Sequence, residues 1–174
     1  MVSAMAIEAM LRTVDSLYKS VGGVLKSVSG EGKAKRTYRD ILSDIQSTLA
    51  LLRRFLALAH CLERNLPNPT RLCHRWFLSK HDNIVTLVKL EPRITISFDG
   101  SKLKVTYDHR ELEFEGSIIR YRVNSFRDEI NLRDEDAIIE KRSLIREAVG
   151  AVKSIITHVM PDMELCIKEH RIRC

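Results

Sequence analysis

The hydrophobic positions of this chain follow a helical period first, a strand period next and a helical period again. In two N-terminal segments, apolar residues recur in alternating steps of four and three. This spacing gathers them on one side of an α-helix, close to a heptad seam. It predicts two amphipathic helices, at about residues 3–28 and 37–65, which form a helical hairpin over residues 1–66. Gly22 and Gly23 interrupt the first helix and are expected to bend it or end it early.

Between residues 83 and 124, apolar and polar residues alternate with the period of two that is typical of a half-buried strand. The pattern predicts a small antiparallel β-meander of about four strands. The Asp-Gly pair at residues 99–100 is a typical two-residue hairpin turn and would place Ile96 opposite Leu103. The segment before the meander, residues 71–81, is expected to be a short helix or an ordered loop.

A second two-residue turn, the Asp-His pair at residues 108–109, would place Val105 opposite Leu112. Both turns keep the apolar side chains of neighbouring strands on one face, which supports the predicted pairing. After the Gly-Ser pair at residues 116–117, the apolar positions change from even to odd numbers. Because side chains alternate with period two, this change predicts a bulge or bend at that pair.

The other face of this sheet carries charges, and Lys104 is predicted to lie opposite Glu113. Opposite charges that face each other across strands are typical of a surface in contact with water, and each such pair contributes about 0.2–1 kcal/mol. An RNA-recognition sheet would display aromatic side chains instead. We therefore expect this face to be solvated, with Arg120 and Arg122 as exceptions that would extend a basic surface.

A long helix at about residues 134–160 is predicted for the last part of the chain. Three acidic residues stand at its N-terminus, where the helix dipole favours negative charge, and Pro161 follows its end. Residues 163–174 are expected to form a short strand or a tail. The whole pattern predicts one α+β domain over residues 1–174, made of the helical hairpin, the sheet and the long helix.

The composition excludes some classes of protein. Nothing near 18 consecutive apolar residues occurs, so neither a membrane span nor a membrane partner is expected. The N-terminal segment lacks a basic region followed by an unbroken apolar run, so we expect no secretory signal and a cytoplasmic location. The chain has one Gln and five Asn, and 30% of its residues are charged, which favours a thermophilic source.

The four cysteines, Cys61, Cys73, Cys166 and Cys174, include no CxxC spacing. Scattered cysteines are more often small buried hydrophobic residues than metal ligands, so we expect neither a metal site nor a cofactor. The sequence leaves open whether any of them form disulfides, because intracellular disulfides are more common in hyperthermophiles.

Positive charge is concentrated in residues 53–81, which hold six Lys or Arg against one Glu. Phosphate backbones require clustered cations, and unstacked bases require flat aromatic faces. This segment supplies both kinds of group and is the predicted nucleic-acid-binding site. With the two arginines of the last predicted strand, the candidate residues are Arg53, Arg54, Arg64, Arg71, His74, Arg75, Trp76, Phe77, Lys80, Arg120 and Arg122.

Two features of the sequence allow two interpretations each. Trp76 and Phe77 would stack on bases if they are exposed, or fill the seam between helix and sheet if they are buried, as large aromatic side chains usually do. The heptad stripes would pack together within a monomer. Alternatively, one of these helices, above all that at residues 134–160, would pair with its copy in a homodimer.

No catalytic residue is predicted, because the six histidines have no companion pattern of Ser, Cys or paired acids. The leading hypothesis is a non-catalytic protein that binds single-stranded DNA or RNA through residues 53–81. The alternative is a helical protein-interaction subunit of a larger complex, with no intrinsic affinity for nucleic acid.

The order of the predicted elements adds one resemblance. Helices, then a small antiparallel sheet, then a zipper-like helix at residues 134–160 resemble the ThermoDBP family of single-stranded-DNA-binding proteins from thermophilic archaea. The resemblance covers the layout of most of the chain and includes no diagnostic motif. It implies a basic, aromatic-lined cleft and dimerisation through helices, and it assigns no role to an individual residue.

Overall fold

The structure is a computed structural model that describes residues 6–67, 71–73 and 75–174. It has the predicted α+β composition: two helices come first, seven strands follow, and two helices complete the described chain. The elements are α1 (Ala6–Ser27), α2 (Lys33–Asn65), β1 (Trp76–His81), β2 (Ile84–Lys89), β3 (Ile94–Phe98), β4 (Leu103–Tyr107), β5 (Arg110–Glu115), β6 (Ile118–Val123), β7 (Phe126–Asn131), α3 (Glu135–Glu140) and α4 (Arg142–Glu169).

Helices α1 and α2 pack against each other through their apolar stripes, as predicted. Helix α2 begins four residues earlier than expected, at Lys33. The expectation that Gly22 and Gly23 bend or end α1 early is wrong in its second part, because the helix continues to Ser27. A Cβ atom at Gly22 would lie 2.7 Å from Gln46 Nε2, so a larger residue there would displace the end of the flexible Gln46 side chain.

The seven strands form one antiparallel meander in which each strand pairs with its neighbours in the sequence. The predicted number of about four strands is wrong. Strand β1 lies in the segment expected to be a short helix or loop, and β7 lies beyond the predicted sheet. Both are edge strands with few buried side chains, two in β1 and one in β7. Without regular burial, their sequences lack the full alternation that identifies a strand.

The register of β4 with β5 confirms the prediction, since Val105 lies opposite Leu112. The predicted register of β3 with β4 is wrong by two residues, because Ile96 lies opposite Val105 rather than Leu103. The cause is a longer turn, in which Asp99 Oδ1 accepts hydrogen bonds from the backbone N–H groups of Ser101 and Lys102 at 2.9 and 2.7 Å. An even shift leaves every side chain on its predicted face.

The change of apolar positions from even to odd has a simpler cause than the predicted bulge or bend. Glu115 pairs with Ile118, so residues 116–117 are the two-residue loop of the β5–β6 hairpin. In a hairpin whose loop has an even number of residues, even-numbered positions of one strand pair with odd-numbered positions of the next. The apolar positions therefore change between even and odd numbers at each such hairpin. Gly116 has a φ of 58°, which glycine adopts without the steric cost that a Cβ atom would add.

The last helical region differs from the single predicted helix at residues 134–160. Asp134 caps α3, since its Oδ1 accepts a hydrogen bond from the Ala137 N–H at 3.2 Å, and α3 ends at Glu140. Helix α4 then continues through Pro161 to Glu169, so the predicted end at Pro161 and the predicted strand or tail are wrong. Met163 and Cys166 are buried beyond the proline, and the apolar stripe therefore continues to stabilise the helix there.

The helices cover one face of the sheet and share one hydrophobic core with it. Helix α4 lies across the middle strands β4–β6, and α2 packs against both α1 and α4. The opposite face of the sheet, called here the open face, carries no helix among the described elements. None of the helices in the described part of the chain is long and apolar enough to cross a membrane.

Candidate nucleic-acid interface

Trp76, the aromatic side chain predicted to stack on bases or to fill the core, is fully buried. It projects from β1 toward the helices, where its ring packs against Phe55 of α2 with the ring centroids 5.1 Å apart. The ammonium group of Lys89 lies 5.8 Å from the centroid of the same ring. Trp76 is therefore a core residue, which is the second of the two interpretations, and its ring offers no free face to a ligand.

Phe77 lies on the open face, because successive side chains of a strand point to opposite sides. It is 37% exposed. It pairs with Arg71 in an antiparallel bridge outside the seven strands, so Arg71 lies on the same face beside it. An exposed aromatic ring and an exposed guanidinium are thus brought together by backbone pairing.

A tight turn creates this pairing. The Leu72 N–H donates to the Trp76 carbonyl at 3.1 Å, and the Trp76 N–H donates to the Cys73 carbonyl at 2.8 Å. Arg75 closes the turn with a φ of 68°, a left-handed conformation that is uncommon for arginine. Its guanidinium pairs with Glu91 at 2.8 Å, and both side chains are exposed. His74, also a predicted site residue, lies outside the described residues.

A disulfide brings a second group of cations to the same end of the molecule. The chain turns back after α4 at Arg171, and the Ile172 N–H donates to the Ile167 carbonyl at 3.0 Å. Cys174 is then bonded to Cys61 of α2, with the Cα atoms 5.7 Å apart. This bond holds the C-terminal arginines beside the last turn of α2, which carries Arg64.

We call the resulting cluster of exposed cations the basic end. Its members share one property: none forms an ion pair with any residue that the structure describes. Next to them is an open depression of about 300 Å³, lined in part by Arg71 and His170. The members of the basic end are Arg64, Arg71, Lys168, Arg171 and Arg173.

The remaining predicted cations of residues 53–81 lie elsewhere. Arg53 is paired with Asp15 of α1. Arg53 and Arg54 are separated from Arg64 by about 15–17 Å along the helix axis. Lys80 is exposed near the far end of β1. The charge-rich segment is therefore continuous in sequence, but the structure brings only part of it together with Phe77.

Arg120, expected to extend a basic surface, is neutralised by three glutamates of the open face. Its guanidinium lies 2.9 Å from Glu113, 2.9 Å from Glu115 and 2.5 Å from Glu129. These hydrogen bonds raise the pKa of Arg120 above its ordinary value. The expected basic extension is therefore wrong for Arg120, because its charge is already compensated.

Arg122 lies in the same transverse row of the sheet as Phe77. That row runs from Phe77 through Val88 to the other edge, and Arg122 stands between Glu111 and Arg127. Five strand spacings separate β1 from β6, or about 24 Å. Arg122 is therefore too distant to join the cations beside Phe77.

Sequence reasoning missed the three C-terminal members of the basic end, Lys168, Arg171 and Arg173. The only signal was the basic segment KEHRIRC at residues 168–174, which ends in a cysteine. The partner of that cysteine is 113 residues away, so nothing local indicates where the run is placed. The expectation that the cysteines are buried holds for Cys61 and Cys166, whereas Cys73 is half-buried and Cys174 is exposed.

Neither a metal-binding cluster among the described residues nor a match to a known protein indicates a function for this site. Among residues 6–67, 71–73 and 75–174, no group of three or more His, Cys, Asp or Glu side chains is arranged to hold a metal ion. Comparison with protein-family models, curated proteins and solved structures gives no match for this chain.

Proposed function

We propose that this protein binds single-stranded nucleic acid at the basic end and on the adjoining part of the open face, without catalysis. The observation that carries the proposal is a cluster of exposed Arg and Lys side chains, without ion-pair partners in the described chain, beside an exposed aromatic ring. Cations of this kind neutralise phosphates and release their counterions. Phe77 takes the stacking role for which the sequence also nominated Trp76.

The surroundings of Phe77 favour unpaired bases as the ligand. Val88 and Thr95 continue its row across the open face without a charged side chain. An aromatic ring next to a neutral surface accepts the flat face of any unstacked base. The bases of a duplex are already stacked on each other, so they cannot use such a ring without unpairing. Arg71 stands at the border of this surface, where it would contact the phosphate that follows a stacked base.

The burial of the helical stripes favours nucleic-acid binding over the alternative of a helical interaction subunit. The stripes of the long helices are buried within the chain, including Ile45 and Leu49 of α2 and Val152 and Val159 of α4. An apolar stripe that already fills its own core offers no seam to a partner helix. The same argument weighs against a homodimer that pairs through α4.

The test is a binding titration with labelled single-stranded DNA, single-stranded RNA and duplex DNA at several salt concentrations. We expect single strands to bind more tightly than duplex, with an affinity that falls linearly on a plot of log affinity against log salt. Arg71→Ala should weaken binding and reduce the magnitude of that slope by about 1.

Arg127→Ala is the matched control, because Arg127 is an exposed arginine of the same transverse row at the opposite edge of the sheet. It should leave affinity and slope unchanged. Equal losses for the two variants would place binding elsewhere, and the absence of binding to any of the three ligands at low salt would exclude the proposal.

A further inference from the structure

The two free cysteines meet at the same end of the molecule as the disulfide. Cys73 lies in the short segment before β1, and Cys166 lies in the last turn of α4. The Cys166 sulfur lies 3.9 Å from the carbonyl oxygen of Leu72, the residue before Cys73. Burial and a hydrogen bond to Cys166 raise the pKa of the Cys73 thiol. Two thiols from segments 93 residues apart are thus neighbours.

We propose that Cys73 and Cys166 are a second disulfide-forming pair, oxidised by exchange with a low-molecular-weight disulfide. This inference does not rest on nucleic-acid binding. The product would have all four cysteines of the chain in two bonds that fasten the end of α4, one to α2 and one to the segment before β1.

The difference in exposure between the two thiols sets the order of the reaction. Cys73 is half-buried and Cys166 is fully buried, so an external disulfide reaches Cys73 first. The Cys73 sulfur attacks one sulfur of the reagent and forms a mixed disulfide, while the departing thiolate takes up the proton that Cys73 has lost. Such exchange needs the thiolate form and an accessible sulfur.

Cys166 completes the reaction from inside the protein. Its sulfur attacks the Cys73 sulfur and expels the second reagent thiolate, which takes up the proton of Cys166. Two protein thiols are oxidised, and one reagent disulfide is reduced to two thiols. Burial raises the pKa of both cysteines, so the thiolate fraction is small and exchange is slow at neutral pH.

The two thiols belong to different segments that a disulfide would join directly. Cys166 lies in α4, and Cys73 lies in the turn that leads into β1, where the Trp76 N–H donates to the Cys73 carbonyl. The new bond would close a loop of 93 residues, which restricts the unfolded chain and raises the melting temperature.

The experiment uses the whole protein with the Cys61–Cys174 bond intact. The protein is incubated with glutathione disulfide at mildly alkaline pH, then denatured, and its free thiols are blocked with N-ethylmaleimide and counted by mass spectrometry. We expect two blocked thiols before treatment and none after it, with a peptide that links Cys73 to Cys166 and an increase in melting temperature of several degrees.

Two single variants make the result decisive. In Cys166→Ser, Cys73 should accumulate a stable mixed disulfide with glutathione, because the second thiol is missing. In Cys73→Ser, the buried Cys166 should stay unmodified in the folded protein. Persistence of both thiols in the parent protein, a stable glutathione adduct on it, or a bond of Cys73 to Cys61 or Cys174 would overturn the proposal.

Discussion

The open face of the sheet has two halves that hold their charges differently. In the neutral half, β1–β3, Phe77 and the uncharged side chains beside it border Arg71, which has no ion-pair partner among the residues that the structure describes. In the charged half, β5–β7, Arg120 is surrounded by three glutamates. A phosphate that approached Arg120 would compete with three carboxylates, whereas one that approached Arg71 would meet no competing carboxylate from the described residues. A surface that can bind a phosphate is therefore distinguished by whether its cations already have carboxylate partners, and not by the number of its cations.

The largest expected effect concerns the two neighbouring aromatic residues on opposite faces of β1. Trp76→Ala should lower the free energy of unfolding by about 3–5 kcal/mol, because it leaves a cavity against Phe55 in the core. Phe77→Ala should cost about 1 kcal/mol or less, since the ring is partly solvated. Urea denaturation followed by circular dichroism measures both. Similar losses would mean that Phe77 is part of the core as well.

Charge reversal compares the basic end with the charged half directly. Arg71→Glu combined with Arg171→Glu should weaken single-strand binding about 100-fold, because two charge-assisted contacts become repulsive. Lys104→Glu combined with Arg127→Glu changes the net charge by the same amount in the charged half and in the adjoining strand β4. This double variant should change affinity only slightly. Fluorescence anisotropy with one labelled single strand measures both double variants.

Equal weakening by the two double variants would show that overall charge, and not the basic end, determines binding.

Removal of the exposed ring should have a smaller effect on binding. Phe77→Ala should weaken single-strand binding about tenfold and leave its salt slope unchanged, because stacking involves no phosphate. Phe126→Ala is the matched control, since Phe126 is 38% exposed and lies at the opposite edge of the sheet. An altered salt slope for Phe77→Ala, or an equal loss for Phe126→Ala, would contradict the assignment of stacking to Phe77.

The smallest effect on binding is expected for Arg120→Ala, which should leave affinity for a single strand unchanged. It should lower the melting temperature, because Glu113, Glu115 and Glu129 then repel one another. The deficit should be largest at low salt and shrink as the salt concentration rises, since salt screens the repulsion between exposed charges. Thermal scans of variant and parent protein at low and high salt check this. A deficit that stays constant with salt would contradict the electrostatic explanation.

The sequence predicts the interior of this fold better than its edges. Strands β3–β5 and the long helices were recognised because regular burial imposes a period on their residues. Strand β1 has only Trp76 and Leu78 buried, so its pattern resembled a helix or a loop. The register error at the β3–β4 turn has a local cause, the side-chain hydrogen bonds of Asp99, which alternation of apolar residues does not reveal.

The candidate site was only partly predictable, because it is assembled from distant segments. Arg64, Arg71 and Phe77 were nominated from one charged stretch, but that stretch also contains Arg53, which is paired with Asp15. Arg171 and Arg173 reach the site through a bond between Cys61 and Cys174, and no local pattern encodes that bond. Charge composition predicts that a basic surface exists, and the tertiary contacts decide which arginines share it.

The order of the strands has a consequence for how rapidly the sheet assembles. Every strand pairs only with its neighbours in the sequence, so each hairpin closes a short loop and loses little chain entropy. Contacts of low sequence separation form quickly, whereas the packing of α2 on α4 joins segments that are far apart in the chain. We therefore expect the meander to form early and the helical layer to dock late, with substitutions between α2 and α4 mainly accelerating unfolding.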